Sequence, residues 1–588
     1  MSLSNARRRP PDAVSNRDVA HALLEMALFL EMEDVPFKPR AYEKAAHAVE
    51  TLGRSIADLC REGGSKALDE VPGVGESIAA KIEELVTTGR IRDLERCRRK
   101  MPVDLLALTS IEGVGPKAVR SLYEALGVRT VADLERAAAA GKIHDLPHFG
   151  ERSEQKILQG IGFLKQTSGR VPLGQLTDLV ATIEARLRRL PGVEEAAVAG
   201  SVRRRKETIG DVDFVVAARR PATVMDAFAA MPEVARVLGK GPTKTMVHLR
   251  TGIDADLRIV PRESFGAALQ YFTGSKDHNI ALRRIAQGKG LKLSEYGLFR
   301  GQRRIAGRTE EEIYEALGLE WVPPELRENA GEIEAARAGT LPHLIDYGDL
   351  RGDLQIQTDW TDGDDSIEAM VAAARRLGWK YIAITDHTRD LAMTGGADEA
   401  KLLEQAAAIR KLNQKLRGFT VLSGAEVNIR RDGTLDIEDR VLAKLDVVGA
   451  AIHSHFSLPR KEMTARLIRA MENPNVDLLF HPTARALGKR PAVDVDLDAV
   501  IAAARRTGTL LEIDGQPERL DLKDEHARRA LAAGVKIAVD SDAHRASELR
   551  YAIDYGVAVA RRAWARKQDV VNTLPLEKLR RCLKRGRA

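Results

Sequence analysis

The stretch 200–216 constrains this chain most, because it joins a Gly-Ser turn and a basic cluster to an acidic strand. Apolar residues alternate with Asp211 and Asp213 at its end, and a period of two places both carboxylates on one strand face. A second alternating segment carries Asp254 and Asp256 on one face. If the two strands are neighbours, three carboxylates converge, which suits a pair of Mg²⁺ ions and phosphoryl transfer. Strand parity allows either Asp254 or Asp256 as the third acid, and a solvated strand edge is the alternative for the first pair alone.

The turn before this strand is suited to phosphate. Gly200 and Ser201 offer backbone N–H groups, and Arg203 and Arg204 can neutralise a triphosphate. The order Gly-Ser, Arg-Arg, Glu and Gly-Asp-x-Asp resembles the nucleotidyltransferase signature of family X DNA polymerases, which have a polymerase beta-like core. The family places its third acid directly before Leu-Arg, which selects Asp256. The resemblance implies that Gly200, Ser201 and Arg204 bind the incoming nucleotide.

A second segment, 270–279, is also similar to this family. Two aromatic residues before a Gly-Ser turn could stack on a sugar or pack in a core. The resemblance implies that Tyr271, Phe272 and Gly274 lie against the sugar of the nucleotide. It also places Asn279 and Arg283 near the base and the template strand.

Three glycine-containing turns, each followed by a helix, recur at 71–82, 111–119 and 146–152. A helix start offers free N–H groups and a positive dipole end to phosphate. The repeats resemble the helix-hairpin-helix motif, which holds the DNA backbone without reading bases. The glycines expected at the DNA are Gly73, Gly75, Gly113 and Gly115.

The first repeat resembles the lyase domain of polymerase beta. The resemblance implies that Lys81 forms a Schiff base with a deoxyribose phosphate, and that Lys38 and Tyr42 bind DNA phosphate. Two positions depart from the family, because Phe37 replaces a histidine and Ser77 replaces a phosphate-binding lysine. An amine nucleophile needs apolar surroundings or neighbouring cations, and a surface lysine that only touches phosphate is the alternative.

From residue 381 onward, strand-like runs alternate with alanine-rich helical stretches, which predicts an α/β barrel. The strands are expected at 381–385, 420–422, 446–452, 478–480, 510–513 and 536–539. Most candidate metal ligands follow strand ends, where such barrels place their sites. The candidates are His387, Glu426, His453, His481, Asp542 and His544. This pattern resembles the PHP (polymerase and histidinol phosphatase) domain, a trinuclear metallo-phosphoesterase. The resemblance adds Asp362 and implies three metal sites: Glu426, His453 and His481 in one, Asp362, His387 and His544 in another, and a first-motif site that shares Glu426 and Asp542.

The PHP resemblance implies Mn²⁺ or Zn²⁺ as the metal and a 3′–5′ exonuclease that also cuts abasic sites. The family's first motif, Asp-Leu-His-x-His, departs here, because Gln355 and Gln357 replace both histidines. A neutral amide is a weaker ligand than imidazole, so we expect an attenuated nuclease.

The chain has 588 residues, of which 44% are hydrophobic and 30% charged, and it has a net charge of +7. These values predict a multidomain protein that contacts no membrane and fits a nucleic-acid partner. Three scattered cysteines indicate reduced thiols, and we expect a cytoplasmic monomer.

The predicted fold combines all-α helix-hairpin-helix domains, an α+β nucleotidyltransferase palm and thumb, and a C-terminal α/β PHP barrel. The expected domains are lyase-like (1–92), fingers-like and DNA-binding (93–170), palm (171–262), thumb (263–325), linker (326–346) and PHP (347–588). We expect a bacterial-type family X DNA polymerase that fills gaps in base excision repair, using gapped or primer–template DNA and dNTPs. The alternatives are an RNA or tRNA nucleotidyltransferase, a PHP phosphoesterase with a DNA-binding front end, and a non-catalytic DNA scaffold.

Overall fold

The computed structural model describes residues 14, 16–50, 52, 55–71, 73–111, 113–147, 149–167, 169–391 and 394–584. The chain divides into two compact units, Met1–Ser168 with Gly488–Pro491 and Gly169–Leu487 with Ala492–Ala588. Within the described ranges, no helix has both the length and the apolar character needed to cross a membrane.

The first unit is helical. Its helices are α1 (Asn16–Met32), α2 (Lys38–Glu50), α3 (Ile56–Asp69, broken at Gly64), α4 (Glu76–Thr88), α5 (Arg92–Lys100), α6 (Leu105–Thr109), α7 (Pro116–Leu126), α8 (Val131–Ala139) and α9 (Glu151–Thr167). Their apolar faces meet in one hydrophobic cluster that includes Leu23, Ile82 and Leu122. The spacing of these apolar residues is the helical periodicity from which the sequence predicted helices here.

The three predicted hairpin turns share one backbone geometry. Val74, Val114 and Phe149 each donate an N–H to the carbonyl three residues earlier, over 2.9 to 3.0 Å. Helices α4, α7 and α9 begin two residues later, and Gly75 and Gly115 cap the first two. Pro72, Glu112 and His148 of these motifs lie outside the described residues.

In the first two hairpin turns, the backbone changes direction at Gly73 and Gly113, which have φ of +84° and +86°. A Cβ added at Gly75, Gly113 or Gly115 would meet nothing within 4 Å. The first turn of α4 and of α7 is therefore open to a phosphate group.

The palm lies in the second unit. Its elements are β1 (Val171–Pro172), α10 (Thr177–Arg188), β2 (Val193–Val198), α11 (Gly200–Arg203), β3 (Thr208–Ile209), β4 (Asp211–Ala218), α12 (Pro221–Ala229), β5 (Val234–Lys240), β6 (Lys244–Leu249) and β7 (Asp254–Val260). In the described chain, the strands of its main sheet follow the order β2-β4-β7-β6-β5. β4 and β7 are parallel neighbours. Helices α10 and α12 pack on the sheet through Ile183, Leu187 and Phe228.

The thumb and the segment after it share one hydrophobic cluster. The elements are α13 (Phe265–Thr273), α14 (Lys276–Gly288), β8 (Lys292–Ser294), β9 (Gly297–Arg300), β10 (Arg303–Ala306), α15 (Glu310–Leu317) and α16 (Glu332–Ala338). Leu326, Ile333 and Ala336 belong to this cluster. The expected linker 326–346 is thus packed against the thumb.

The remaining elements form the predicted α/β barrel. They are β11 (Gly352–Asp353), α17 (Ile367–Arg376), β12 (Tyr381–Ile384), α18 (Glu399–Asn413), β13 (Thr420–Asn428), α19 (Asp439–Leu442), β14 (Val447–Ala451), α20 (Arg460–Glu472), β15 (Leu478–Leu479), α21 (Leu497–Thr507), β16 (Leu510–Asp514), α22 (Asp524–Ala532), β17 (Ile537–Asp540), α23 (Val557–Arg562) and α24 (Leu576–Arg580). The strands pair in chain order, all parallel. Two hydrogen bonds nearly close the barrel, from Leu354 N to Asp540 Oδ1 at 2.7 Å and from Gln357 N to Ala543 O at 2.9 Å.

Candidate active site and metal centre

Three of the predicted acids lie on two adjacent parallel strands of the palm. Asp213 and Asp256 are register partners on β4 and β7, and Asp211 lies two residues before Asp213. Asp254, the alternative third acid, is opposite Asp211, and its Oδ1 lies 2.6 Å from His248 Nδ1. The strand pairing therefore brings Asp256, and not Asp254, opposite Asp213.

These carboxylates are crowded enough to repel one another. Burial, together with the charges of Asp211 and Asp256, raises the pKa of Asp213 to about 7. Lys244 Nζ lies 2.5 Å from Asp256 Oδ2 and offsets part of the repulsion. A divalent cation would relieve it more fully, and its binding would release the proton of Asp213. An all-carboxylate donor set therefore fits a hard cation such as Mg²⁺.

The phosphate-type turn lies directly against one of these acids. A Cβ on Gly200 would come within 2.3 Å of Asp213 Oδ2. Ser201 Oγ is buried and has no hydrogen-bond partner among the described residues. A buried hydroxyl without a partner costs free energy, so this hydroxyl is available to a bound phosphate oxygen.

The two adjacent arginines of the motif have different contacts. Arg203 donates to both carboxylate oxygens of Glu310, at 2.7 and 2.8 Å, and Glu310 also pairs with the buried Arg327. Burial acts to raise the pKa of Glu310, but Arg327 and Arg203 outweigh it and lower that pKa. Arg204 instead donates from Nε to Glu328 at 3.1 Å. Arg203 thus joins the palm to the thumb, and Arg204 remains the candidate for binding phosphate.

The aromatic segment lies at the end of α13. The rings of Tyr271 and Phe272 meet edge to face, with centroids 5.2 Å apart. Asn279 Nδ2 donates to the carbonyl of Tyr271 at 2.6 Å, and the guanidinium of Arg283 lies 5.9 Å from the Tyr271 ring. The residues expected around the nucleotide are therefore held as one group.

This group also contacts the phosphate side of the site. Arg204 Nη1 donates to the carbonyl of Thr273, and a Cβ on Gly274 would lie 3.2 Å from that nitrogen. The guanidinium of Arg258 lies 5.3 Å from the Phe272 ring. Gly274 therefore leaves the space that Arg204 occupies.

Sequence reasoning missed Lys244 and Glu328, which pair with Asp256 and Arg204. Lys244 begins β6, and its only sequence signal is the alternating pattern of that strand beside β7. Glu328 follows a short proline turn in the expected linker and carries no motif.

In the α/β barrel, several of the predicted metal ligands lie close to one carboxylate. Glu426 Oε1 lies 3.0 Å from His453 Nε2 and 2.8 Å from His481 Nε2, and Glu426 Oε2 lies 3.3 Å from His387 Nδ1. Burial acts to raise the pKa of Glu426, but His387, His453 and His481 outweigh it and lower that pKa. An anionic carboxylate beside several imidazoles is a donor set that fits Mn²⁺ or Zn²⁺.

A second group shares His387. His387 Nε2 and His544 Nε2 each lie 3.7 Å from Asp362 Oδ2. In the described part of the chain, two sets of three such ligand atoms lie close enough together to hold one ion, Asp362-His387-His544 and His387-Glu426-His453. His387 thus belongs to both.

The two glutamines lie inside the barrel and are fully buried. Gln357 Nε2 donates to Glu426 Oε2 at 2.8 Å, which occupies an oxygen that a cation would use. Both amide atoms of Gln355 lack hydrogen-bond partners within the described ranges. Two histidines at these positions would offer imidazole nitrogens to a third ion. The two glutamine amides do not fit such an ion equally well.

Asp542 belongs to neither of these two ligand sets and lies beside a cation. Arg519 Nε lies 3.5 Å from both Asp542 Oδ2 and Asp514 Oδ2. Burial is the main cause that raises the pKa of Asp514, and the charge of Asp542 adds to it. Arg519, which the sequence did not single out, thus neutralises buried carboxylate where the first metal was expected to share Asp542.

In the helical unit, the lyase candidates line one cavity of about 960 Å³. Its walls include Lys38, Tyr42, Gly73, Gly75, Ser77 and Lys81. Lys81 Nζ is paired with Asp93. Burial raises the pKa of Tyr42, partly opposed by Lys81. The Lys81–Asp93 pair has to open before the amine can act as a nucleophile.

Comparison with protein-family models matches four regions. Residues 14–91 match a helix-hairpin-helix domain, 105–162 a SAM-like helix-hairpin-helix tandem, 268–328 the DNA polymerase beta thumb, and 353–504 the PHP domain. The predicted fold classes of these regions are thereby confirmed.

Several curated proteins are similar to this chain. The DNA polymerase/3′-5′ exonuclease PolX of Bacillus subtilis (strain 168) is 36% identical over 97% of this chain and 99% of its own length. A probable phosphatase of Thermoanaerobacter sp. (strain X514) is 33% identical over 29% of this chain and 69% of its own length. DNA polymerase lambda of Arabidopsis thaliana is 25% identical over 55% of this chain and 64% of its own length. Polymerases and PHP proteins of these families depend on metal ions. The chain belongs to the family X DNA polymerases that carry a C-terminal PHP domain.

Proposed function

We propose that this chain is a DNA-directed DNA polymerase that fills short gaps during base excision repair, with the palm acids as its active site. The observation that carries the proposal is the register of β4 and β7, which sets Asp213 opposite Asp256 beside the Gly200–Ser201 turn. The similarity to PolX over nearly the whole chain supports it.

The chemistry assigns one role to each group. Asp211, Asp213 and Asp256 would hold two Mg²⁺ ions, which when bound stabilise the attacking and leaving oxygens of a phosphoryl transfer. Asp256 accepts the proton of the primer 3′-hydroxyl, and the resulting oxygen attacks the α-phosphorus in line as pyrophosphate leaves. Ser201 Oγ and Arg204 bind the leaving phosphates.

The expected DNA-binding site is formed by the hairpin turns at the starts of α4 and α7. Their capping glycines leave open space in front of backbone N–H groups. Backbone contacts of this kind bind phosphate without reading bases, so gapped or primer–template DNA of any sequence is the proposed partner. Affinity is then expected to fall steeply with salt, because phosphate contacts release counterions. A monomer in the cytoplasm is the proposed working form.

The test is incorporation of one dNTP into a short 5′-phosphorylated gap. Asp256→Ala is expected to abolish incorporation, because it removes both a metal ligand and the proton acceptor. Asp254→Ala is the matched control, since it removes an equal charge two residues away on the same strand. Equal incorporation by wild type and Asp256→Ala would contradict the proposal, and would favour the non-catalytic scaffold alternative.

A second candidate activity is an attenuated 3′–5′ exonuclease in the PHP barrel, with Mn²⁺ or Zn²⁺ as its metal. The two ligand sets that share His387 favour this activity. The hydrogen bond from Gln357 to Glu426 is the reason to expect that it is attenuated. Purified protein with Mn²⁺ should degrade 3′ ends slowly, and Gln355→His combined with Gln357→His should accelerate this. An unchanged rate in the double variant would rule out the glutamines as the cause of attenuation.

A further inference from the structure

The segment Arg204–Glu207, here termed the arginine loop, connects the phosphate-type turn of the palm to its acidic strand. The loop is held by the PHP domain. Arg562, the last residue of α23, donates from Nη1 to the backbone carbonyl of Arg204 at 2.9 Å. The palm and the PHP barrel also share one continuous hydrophobic cluster, so this contact lies within a packed body.

Arg562 also shares an acceptor, Glu328, with the side chain of Arg204. Arg562 Nη1 lies 3.2 Å from Glu328 Oε1, the same oxygen that accepts from Arg204 Nε at 3.1 Å. Burial acts to raise the pKa of Glu328, but Lys206, Arg204 and Arg562 outweigh it and lower that pKa. Glu328 is therefore an anion shared between the palm and the PHP domain.

The anchor of Arg562 is within the PHP barrel. Arg562 is 8% exposed, and its Nη2 lies 2.5 Å from Asp524 Oδ2 at the start of α22. A buried guanidinium with partners on both sides has little rotational freedom. Arg562 can therefore fix the position of the arginine loop relative to the barrel.

The other end of the loop has a similar contact. Arg485 of the PHP domain, also 8% exposed, donates from Nη2 to Glu207 Oε2 at 2.8 Å and to the carbonyl of Leu520. Between the two contacts, Arg205 has a φ of +53°, which a non-glycine residue adopts only where its surroundings impose it. The loop is thus held at both ends and includes a backbone conformation that is uncommon for a residue with a Cβ.

We infer that the PHP domain positions the nucleotide-binding Arg204, through Arg562 and the shared Glu328, as a part of the polymerase site that needs no PHP metal. The inference rests on the proposed polymerase function. Arg562 is a positioning residue, because it acts through Arg204 and Glu328 and does not itself reach the palm acids. Neither Arg562 nor Arg485 is among the candidate metal ligands. This role therefore remains even though Gln355 and Gln357 weaken the PHP metal site.

The test is steady-state insertion of one dNTP into a gap by the full chain. Arg562→Ala is expected to raise KM for the dNTP about tenfold, the effect of losing roughly one hydrogen bond to a charged group. kcat and the Kd for DNA should stay within about twofold of wild type, because the acids and the hairpins are unchanged. Arg562→Lys should recover part of the loss, since it restores the charge beside Glu328. A merely structural role would lower the active fraction and leave KM unchanged.

Arg561→Ala is the matched control. Arg561 pairs with Glu325 at 2.7 Å and with the carbonyl of Ile345 in the same interface. Its guanidinium also lies 5.3 Å from the Tyr347 ring, which Arg205 of the loop approaches to 5.9 Å, but it pairs with neither Arg204 nor Glu328. An unchanged KM in folded Arg562→Ala, or an equal rise in Arg561→Ala, would overturn the inference. If Arg562→Ala does not fold, Arg485→Ala breaks the other contact and has the same expected result. Failure of the polymerase proposal is separate, because wild type itself would then incorporate no nucleotide.

Discussion

Replacing Gly200 with alanine is expected to slow nucleotide incorporation about 10²-fold while leaving the fold nearly intact. The new methyl carbon would lie 2.3 Å from Asp213 Oδ2, so the carboxylate has to rotate away. Since the clashing atom is the end of a side chain and not backbone, rotation of the carboxylate relieves most of the clash. The larger cost is a φ of +60° at a residue with a Cβ, about 1–2 kcal/mol. By contrast, a catalytic group displaced by about 1 Å can cost about 10²-fold in rate.

Gly192→Ala separates these two effects. Gly192 also has a positive φ, +83°, but an added Cβ would meet nothing within 4 Å. Thermal unfolding should show the same loss of stability in both variants. Single-turnover insertion should fall about 10²-fold in Gly200→Ala and stay near the wild-type rate in Gly192→Ala. Equal insertion rates in the two variants would refute the reasoning.

Three further predictions concern other parts of the chain. Glu310→Gln should lower the free energy of unfolding by about 3 kcal/mol, because it takes the carboxylate away from the fully buried guanidinium of Arg327, and urea titration measures this. Since the folded-state pKa of Glu310 is lowered, its contribution is present above its unfolded pKa and should be lost as pH falls below about 4.5. Gln355→His with Gln357→His should raise the bound Mn²⁺ per chain, counted by elemental analysis, and an unchanged count would exclude a vacated ligand position. Lys81→Ala should remove the borohydride-trapped adduct with deoxyribose-phosphate DNA. Asp93→Asn, which frees the Lys81 amine, should increase the amount of this adduct. An adduct that persists in Lys81→Ala would exclude Lys81 as the nucleophile.

The palm site could be predicted from the sequence because its chemistry is local. Asp211 and Asp213 follow a two-residue period on one strand, and Gly200 and Ser201 lie only a few residues earlier. The choice of Asp256 needed the family pattern, since strand parity allowed either acid. The register of β4 with β7 gives the physical reason, because it sets Asp256 opposite Asp213.

The barrel was predicted less completely. Its longer strands show as apolar runs, but β11 has only the two residues Gly352 and Asp353, too few for a period to be recognised. The substitutions Gln355 and Gln357 were visible in the sequence. That Gln357 would donate its amide to Glu426, and that Arg519 would lie beside Asp542, depends on side-chain directions inside a closed sheet.

The sequence by itself determined the acidic strands, the phosphate-type turn, the three hairpins and the order of the domains, because each depends on residues close together along the chain. Only the tertiary structure decided which charges surround them. Glu328 is 124 positions from Arg204, and Arg562 is 358 positions away, yet both touch it. No local period or motif can report contacts at such separations, because they arise when the palm and the PHP barrel pack into one hydrophobic cluster.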